Sequence, residues 1–420
     1  MKKIITKILI WEARLALTRH NPRVVAITGS VGKSSTKEAI ALTLGQKFRV
    51  RKSQKSYNSE LGLALSVLGL PTAWKNPIGW LKNIVAGLRE VFNKKFPEVL
   101  VLEMGVDRPK DIDRLLAIAK PFVGVVTAIG EIPVHVEFFA GPEELVKEKT
   151  KLIKALPAQG YAVLNFDDAT VWDMHEKTNA HVMSYGFGEH ADFLASQYKI
   201  SLDGTVFKAD HDGASVPVHL KNSFGKQNIY GALAALAVGT IFDMNLIEIA
   251  QALSLWGPPP GRMRMIEGIK QTWIIDDTYN ASPLAMEAAL DALDELAKSF
   301  SLPPRRIAVI GDMLEIGKFT IEAHKAVGEH AVKVADYLVA VGPRAKFAAD
   351  EARARGMQNI ESFSTSEEAA AHIKEILQTG DLVLVKGSQS MRMEKIVEEI
   401  MARPEDAEKL LCRQETYWKK

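Results

Sequence analysis

Cysteine is almost missing from the 420 residues: Cys412, near the C-terminus, is the only one. That excludes an intrachain disulfide framework and any cysteine-rich zinc site, and it fits a reducing cytoplasm. An excess of one charge is lacking too. Lys and Arg number 53 against 51 Asp and Glu, and a formal net charge of +2 gives no general case for nucleic acid as a partner. No apolar run approaches the roughly 20 residues of a membrane-spanning helix. The N-terminal MKKIITKILIWEARLALTRHNP is basic with an apolar middle, but Lys7, Glu12 and Arg14 interrupt it and no small-residue cleavage site follows. Ile4, Ile5, Ile8, Trp11 and Leu15 share a helical face, so residues 1–20 are expected to form an amphipathic helix. It either packs on the next domain or lies on a membrane surface with Lys2, Lys3 and Lys7 at anionic lipid.

A further absence is local. The stretch AITGSVGKSSTKEA (26–39) resembles a phosphate-binding loop, G-x-x-x-x-G-K-[ST], but Ile27 stands where the first glycine would be. The context supports a site all the same. PRVVAIT (22–28) is an apolar, β-branched run suited to a buried strand, and KSSTKEAIALTL continues as a helix. Gly29 and Gly32 let the backbone turn tightly between them, and the N–H groups of such a turn attract an anion. Lys33 would reach the β and γ phosphates, and the Ser34 hydroxyl would bind Mg²⁺. The alternative is a glycine turn that only joins strand to helix.

Further strands are expected at EVLVLEMG (98–105), PFVGVVTAIG (121–130) and GYAVLNFDD (160–168), with helices between them, notably 142–156. This alternation implies an α/β fold with a mainly parallel sheet and its chemistry at the strand C-termini. From 182 to 221 short alternating runs with Asp203-Gly204 and Asp212-Gly213 turns suggest an antiparallel excursion, and a helix follows from Gln227. WGPPPGRMRM (256–265) is a stiff breaker, which places a domain boundary near 262. Beyond it the βα rhythm restarts, with strands at 272–276, 306–310, 336–341 and 381–386. Ser282-Pro283 supplies an N-cap and a first-turn proline for the helix after the first of these. The expected organisation is an N-terminal helix (1–20), a P-loop ATPase-type central domain (21–262) and a Rossmann-like, doubly wound C-terminal domain (263–420).

Glu103 ends a strand, where an NTPase often holds Mg²⁺, although an acid there can also be an ordinary strand end. His135 follows another strand end and could meet the same metal or serve as a packing residue. Lys147, Lys149, Lys151 and Lys154 lie on one charged helix, and periodicity singles out none of them. Asp276-Asp277-Thr278-Tyr279-Asn280 is placed either to contact ribose or adenine or to cap the next helix. The nearest match to a guanine-reading N-K-x-D, Asn93-Lys94-Lys95-Phe96, lacks the aspartate, which argues against a GTPase switch.

Taken together and in order, these segments resemble the Mur ligases, ATP-dependent amide ligases of cell-wall peptide synthesis. The similarity runs from about Pro22 to Val397 and is closest to the branch that adds D-alanyl-D-alanine. TGSVGKSST (28–36) is similar to that family's own loop, T-G-[ST]-x-G-K-[ST]-[ST], which accounts for the missing early glycine. YNSELGL (57–63), LEMG (102–105), IGEIPVHVEFF (129–139), FGKQNIYGALAALA (224–237), PGRM (260–263), DDTYNASP (276–283), GDMLEIG (311–317) and VKGSQSMRME (385–394) carry the rest. The resemblance implies that Thr28, Gly29, Ser30, Val31, Gly32, Lys33, Ser34 and Ser35 bind ATP together with Asn228, Arg262, Asp277 and Asn280. It implies that Ser34, Glu103, His135 and Lys149 hold Mg²⁺, with Lys149 carboxylated by CO₂, and that Lys33, Lys149 and His135 serve catalysis.

The activity so implied joins D-alanyl-D-alanine to UDP-N-acetylmuramoyl-tripeptide through an acyl phosphate, in the cytoplasm, by a monomer acting on small peptide and nucleotide-sugar substrates. Three departures stand out. One helix precedes the loop where the family carries a UDP-sugar-binding domain. Ser282 and Gln389 stand where Asn and Arg are usual, and the segment before His135 is longer. Two other functions are compatible with the sequence: the same chemistry on another peptide or polyglutamate-like acceptor, or a non-catalytic nucleotide-binding interaction protein.

Overall fold

The computed structural model describes residues 2–54, 57–74, 76–415 and 418, with Lys2 described by its backbone alone. Its strands form two sheets. The first contains β1 (Arg23–Thr28), β2 (Val50–Lys52), β3 (Val99–Glu103), β4 (Val123–Val126), β5 (Tyr161–Asn165), β6 (His181–Gly186), β7 (Phe193–Ser201), β8 (Gly204–His211) and β9 (Ala214–Lys221). Their order is β2-β3-β1-β4-β5-β6-β7-β8-β9. All neighbours run parallel as far as β7, and β7, β8 and β9 are antiparallel. The Asp203-Gly204 and Asp212-Gly213 turns join the antiparallel strands as expected, but the excursion starts at β7 and not at 182. β6 still pairs parallel with β5, from His181↔Tyr161 to Tyr185↔Asn165.

The alternating side chains of β1 explain the layers. Val25 and Ile27 face the helices Lys33–Leu44 and Lys226–Ile241, with Val99, Val101, Val123 and Val125 beside them. Val24 and Ala26 face the opposite way, into a core built by α1 (Lys2–His20) and the helices Glu60–Leu68 and Pro77–Val91. A strand buried on both faces reads as a continuous apolar run, and Arg23–Thr28 does so after its first residue. α1 therefore packs on the central domain, but on a different face from the one read in the sequence. Leu9, Glu12, Ala13 and Ala16 are buried, whereas Ile4 and Trp11 are exposed. Small Ala13 and Ala16 allow the close approach that bulky Ile4 and Trp11 would prevent. The Lys2 side chain lies outside the described residues.

The second sheet holds β10 (Arg264–Glu267), β11 (Trp273–Asp277), β12 (Arg306–Gly311), β13 (Tyr337–Val341), β14 (Ile360–Phe363) and β15 (Leu382–Lys386), in the order β10-β11-β15-β12-β13-β14. Only β10 is antiparallel to its neighbour. Ser282 caps the helix Pro283–Ala297 by accepting from the Ala285 N–H at 3.3 Å.

Candidate active site

Three strand ends of the first sheet meet at one place. β1 lies between β3 and β4, with Ile27 level with Glu103 and Thr28 level with Val126, so the loop after β1 emerges beside Glu103 and Thr127. Gly29 has φ +140°, and a Cβ there would stand 2.0 Å from Thr127 Oγ1. Only glycine permits this approach. Ser30 and Val31 donate their N–H groups to the Ala128 carbonyl at 2.7 and 3.0 Å, which pins the loop to the end of β4. These two N–H groups are thereby spent within the protein. Gly32, at φ +87°, is the N-cap of the helix Lys33–Leu44 and offers no side-chain cap. The first-turn N–H groups of that helix are therefore left for an anion.

The side chains around this helix end form a charged cluster. Lys33 Nζ donates to the Gly29 carbonyl at 2.9 Å and to that of Ser30 at 3.3 Å. Burial, then repulsion from Arg262, pull its ammonium below the usual lysine range, against the attraction of Glu103 and Asp107. Ser34 Oγ donates to Glu103 Oε2 at 3.2 Å, and Lys37 Nζ lies 3.6 Å from the same oxygen. Thr28 and Ser35 are buried behind the loop, and the hydroxyls of Thr28 and Ser30 are buried without a hydrogen-bond partner among the described residues.

Tertiary packing distinguishes the four lysines that periodicity could not. On the helix Pro142–Lys154, Lys147 and Lys154 are exposed and Lys151 pairs with Asp113 and Glu148. Lys149 alone of the four is buried, its Nζ donating to the Gly29 carbonyl at 2.9 Å. Burial first, and then the Lys33 ammonium, push its own pKa well down. His135, at φ +71°, is half-buried, with Nδ1 2.9 Å from Glu315 Oε2 and Nε2 3.5 Å from Asp107 Oδ1. It thus links the first sheet's loops to the loop after β12, and the imidazole holds the Glu315 carboxyl below its ordinary range. Among the described residues, no three His, Cys, Asp or Glu side chains converge as a ready metal cluster.

A cavity of about 590 Å³ gathers these groups: Gly29, Ser30, Val31, Lys33, Glu103, Asp107, His135 and Lys149 line one side. Arg262, Tyr279, Asn280, Ser282, Glu315 and Gln389 line the other. Ser34 lines an adjoining cavity with Lys37, Arg262 and Tyr279. The Arg262 guanidinium sits 4.1 Å from the Tyr279 ring centroid, a flat cationic face beside the loop. Of the four residues expected at the nucleotide from outside the loop, Asn228 and Asp277 do not line the first cavity. Asn228 spends its amide on the Phe224 carbonyl at 2.9 Å, although its helix packs on the loop helix, with Gly231 against Thr36. Asp277 is buried, accepts from the Met263 N–H and pairs with buried Lys386. Asp276 beside it accepts from Gly261 N and Thr278, and burial pushes its carboxyl up to about 6. The two carboxylates are thus tied to the Gly261–Met263 linker. Sequence reasoning missed Asp107 and Glu315 as partners of His135; the signal available was an acid shortly after each strand end.

The donor set fits a polyphosphate with a divalent cation. The uncapped helix end and Lys33 suit phosphate oxygens, and the Ser34–Glu103 pair provides two hard oxygen ligands. Comparison with known proteins agrees with the nucleotide part of this reading. Residues 27–239 match the Mur ligase middle domain, and residues 261–389 match the Mur ligase, glutamate ligase domain. The UDP-N-acetylmuramoyl-tripeptide–D-alanyl-D-alanine ligase of Bacillus subtilis is 28% identical over 396 residues, covering 93% of this chain and 79% of that one. That of Mycobacterium leprae is 30% identical over 394 residues, covering 88% and 71%. Among solved structures, MurF of Thermotoga maritima in complex with ADP superposes with a TM-score of 0.77 at 27% identity, covering 94% of this chain and 83% of that one.

Proposed function

The chain belongs to the Mur ligase family, and from that membership we propose that it joins D-alanyl-D-alanine to UDP-N-acetylmuramoyl-tripeptide with hydrolysis of ATP. It is an ATP-dependent amide ligase with a P-loop central domain and a C-terminal α/β domain. We place the junction between them at residue 262, the reaction in the cytoplasm and the working unit as a monomer. The observation that carries the reading is the uncapped N-terminus of the helix Lys33–Leu44, which opens beside Lys33, Glu103 and Lys149.

The chemistry follows from the charges. The substrate carboxylate attacks the γ-phosphorus of ATP, the bond to the β,γ-bridging oxygen breaks, and ADP leaves. Lys33 and the helix N–H groups offset charge on the phosphoryl oxygens as it develops. The amine of D-alanyl-D-alanine then attacks the acyl carbon, and phosphate departs with formation of the amide. Ser34 and Glu103 would hold Mg²⁺, which when bound neutralises β- and γ-phosphate charge. Lys149 would join them as a carbamate. Its depressed pKa supports this, because the neutral amine is the form that combines with CO₂, and the product turns a repelling cation into an anionic ligand. Arg262, Tyr279 and Asn280 face the loop from the C-terminal side, where closure of that domain would exclude water from the acyl phosphate.

Mass analysis of the product from UDP-N-acetylmuramoyl-tripeptide, D-alanyl-D-alanine and ATP tests the assignment. The reading requires the pentapeptide, together with ADP release that depends on the amine. ADP release with a different peptide acceptor only would move the substrate assignment while leaving the chemistry in place.

A further inference from the structure

The helix Pro77–Val91 carries an apolar stripe that no other described residue covers. Asn76 caps it by accepting from the Gly79 N–H, and Pro77 fixes its first turn. Its inward face is Trp80, Asn83, Gly87 and Val91. Ile78, Leu81, Val85, Leu88 and Phe92 form an unbroken outward line, with Ile78 66% and Leu81 63% exposed. Monomeric proteins rarely leave so long an apolar face in water without a use for it.

α1 extends this face. A Cβ on Gly87 would lie 2.1 Å from Glu12 Oε2, and the Arg19 guanidinium lies 5.1 Å from the Phe92 ring, so the two helices run parallel in close contact. With 3.6 residues per turn, that contact puts the exposed Ile4 and Trp11 on the same outward side as Leu81 and Leu88. The charge around the face has one sign. Lys3, Lys7, Lys82 and Arg89 are exposed on the two helices, and Lys94 and Lys95 follow Phe92. Each helix has a single acid, and both are withdrawn: Glu12 is buried, and Glu90 pairs with Arg51. Among the described residues no helix is long and apolar enough to cross a membrane.

We propose that the outward face of Pro77–Val91, with Ile4 and Trp11 of α1, docks the protein on an anionic phospholipid surface. Apolar side chains would enter the headgroup region with lysine and arginine at their margin, and tryptophans lie on the face and beside it, as interfacial helices arrange them. Trp74, exposed just before the helix, also lines the cavity containing Ser34 and Arg262, so the lipid surface would lie beside the rim of the reaction site. The docking itself holds whichever substrate the site takes.

Flotation of the full chain with phosphatidylcholine vesicles, with and without phosphatidylglycerol, tests it. Binding is expected only with the anionic lipid and should weaken with salt. Leu81→Glu/Leu88→Glu should abolish it, and Lys82→Glu/Arg89→Glu should weaken it about twentyfold or more. Both variants change exposed positions, so unchanged thermal melts and ADP release are expected alongside. Three results would overturn the proposal: no flotation with anionic vesicles, equal binding to both vesicle types, or a wild-type dimer that Leu81→Glu/Leu88→Glu converts to monomer.

Discussion

Lys149→Met tests the electrostatics of the site through folding as well as through catalysis. The Nζ atoms of Lys149 and Lys33 each lie 2.9 Å from the Gly29 carbonyl oxygen, so they are at most twice that, 5.8 Å, apart. Two ammonium charges at that separation repel by about 3 kcal/mol at an effective dielectric constant of about 20. Lys149 is buried, Lys33 is half-buried and neither has a salt bridge among the described residues, so the folded protein binds the Lys149 proton less tightly than the unfolded chain does. Between the lowered folded pKa and the ordinary lysine value, the unfolded state therefore holds more protons, and stability rises with pH. The contribution of Lys149 to that slope is at most about 1.4 kcal/mol per pH unit, and the methionine variant lacks it. Urea denaturation of both proteins at several pH values above neutrality, in bicarbonate-free buffer, should show wild type gaining on the variant as pH increases. Parallel stability curves would refute the argument, because Lys149 would then titrate as it does in the unfolded chain. With bicarbonate restored, amide formation by the variant should be at least about a hundredfold below that of wild type.

Two further substitutions probe the frame around the loop. Gly29→Ala places a methyl 2.0 Å from Thr127 Oγ1 at φ +140°, so the KM for ATP should rise at least about tenfold; ATP kinetics equal to wild type would contradict the loop assignment. Asp277→Asn leaves the Lys386 ammonium buried without its counter-charge and should cost about 3–5 kcal/mol in urea denaturation. Adding Lys386→Met should recover most of that loss, and a cost below about 1 kcal/mol for Asp277→Asn alone would mean that the pair is not ionic.

What could be read in advance was set by local chemistry. β1, β3, β4 and β5 are continuous apolar runs, and strands buried on both faces must look so. β2, β10 and β14 are three or four residues long and lie at sheet edges, where half-exposed positions leave too weak a pattern. β6 falls within the stretch expected to be antiparallel, because HVMSYG carries no signal for the direction of its neighbour. The glycine loop was legible because strand, turn and helix are contiguous. Lys149 was not legible from spacing, since what separates it from Lys147 and Lys151 is burial against a loop 120 residues earlier. Asp277 was misleading for the same reason: a strand-end acid looks free to meet a ligand until Lys386, from β15, is found across from it.

The central claim is that the turn from Gly29 to Ser35 grips the phosphates of ATP. A crystal structure with a non-hydrolysable ATP analogue and magnesium tests it most directly. The account predicts phosphate density at the N-terminus of the helix Lys33–Leu44, with Lys33 Nζ moved from the Gly29 carbonyl to the terminal phosphate and the metal beside Ser34 and Glu103. An analogue bound elsewhere, with the Lys33 and Ser34 contacts unchanged, would contradict it.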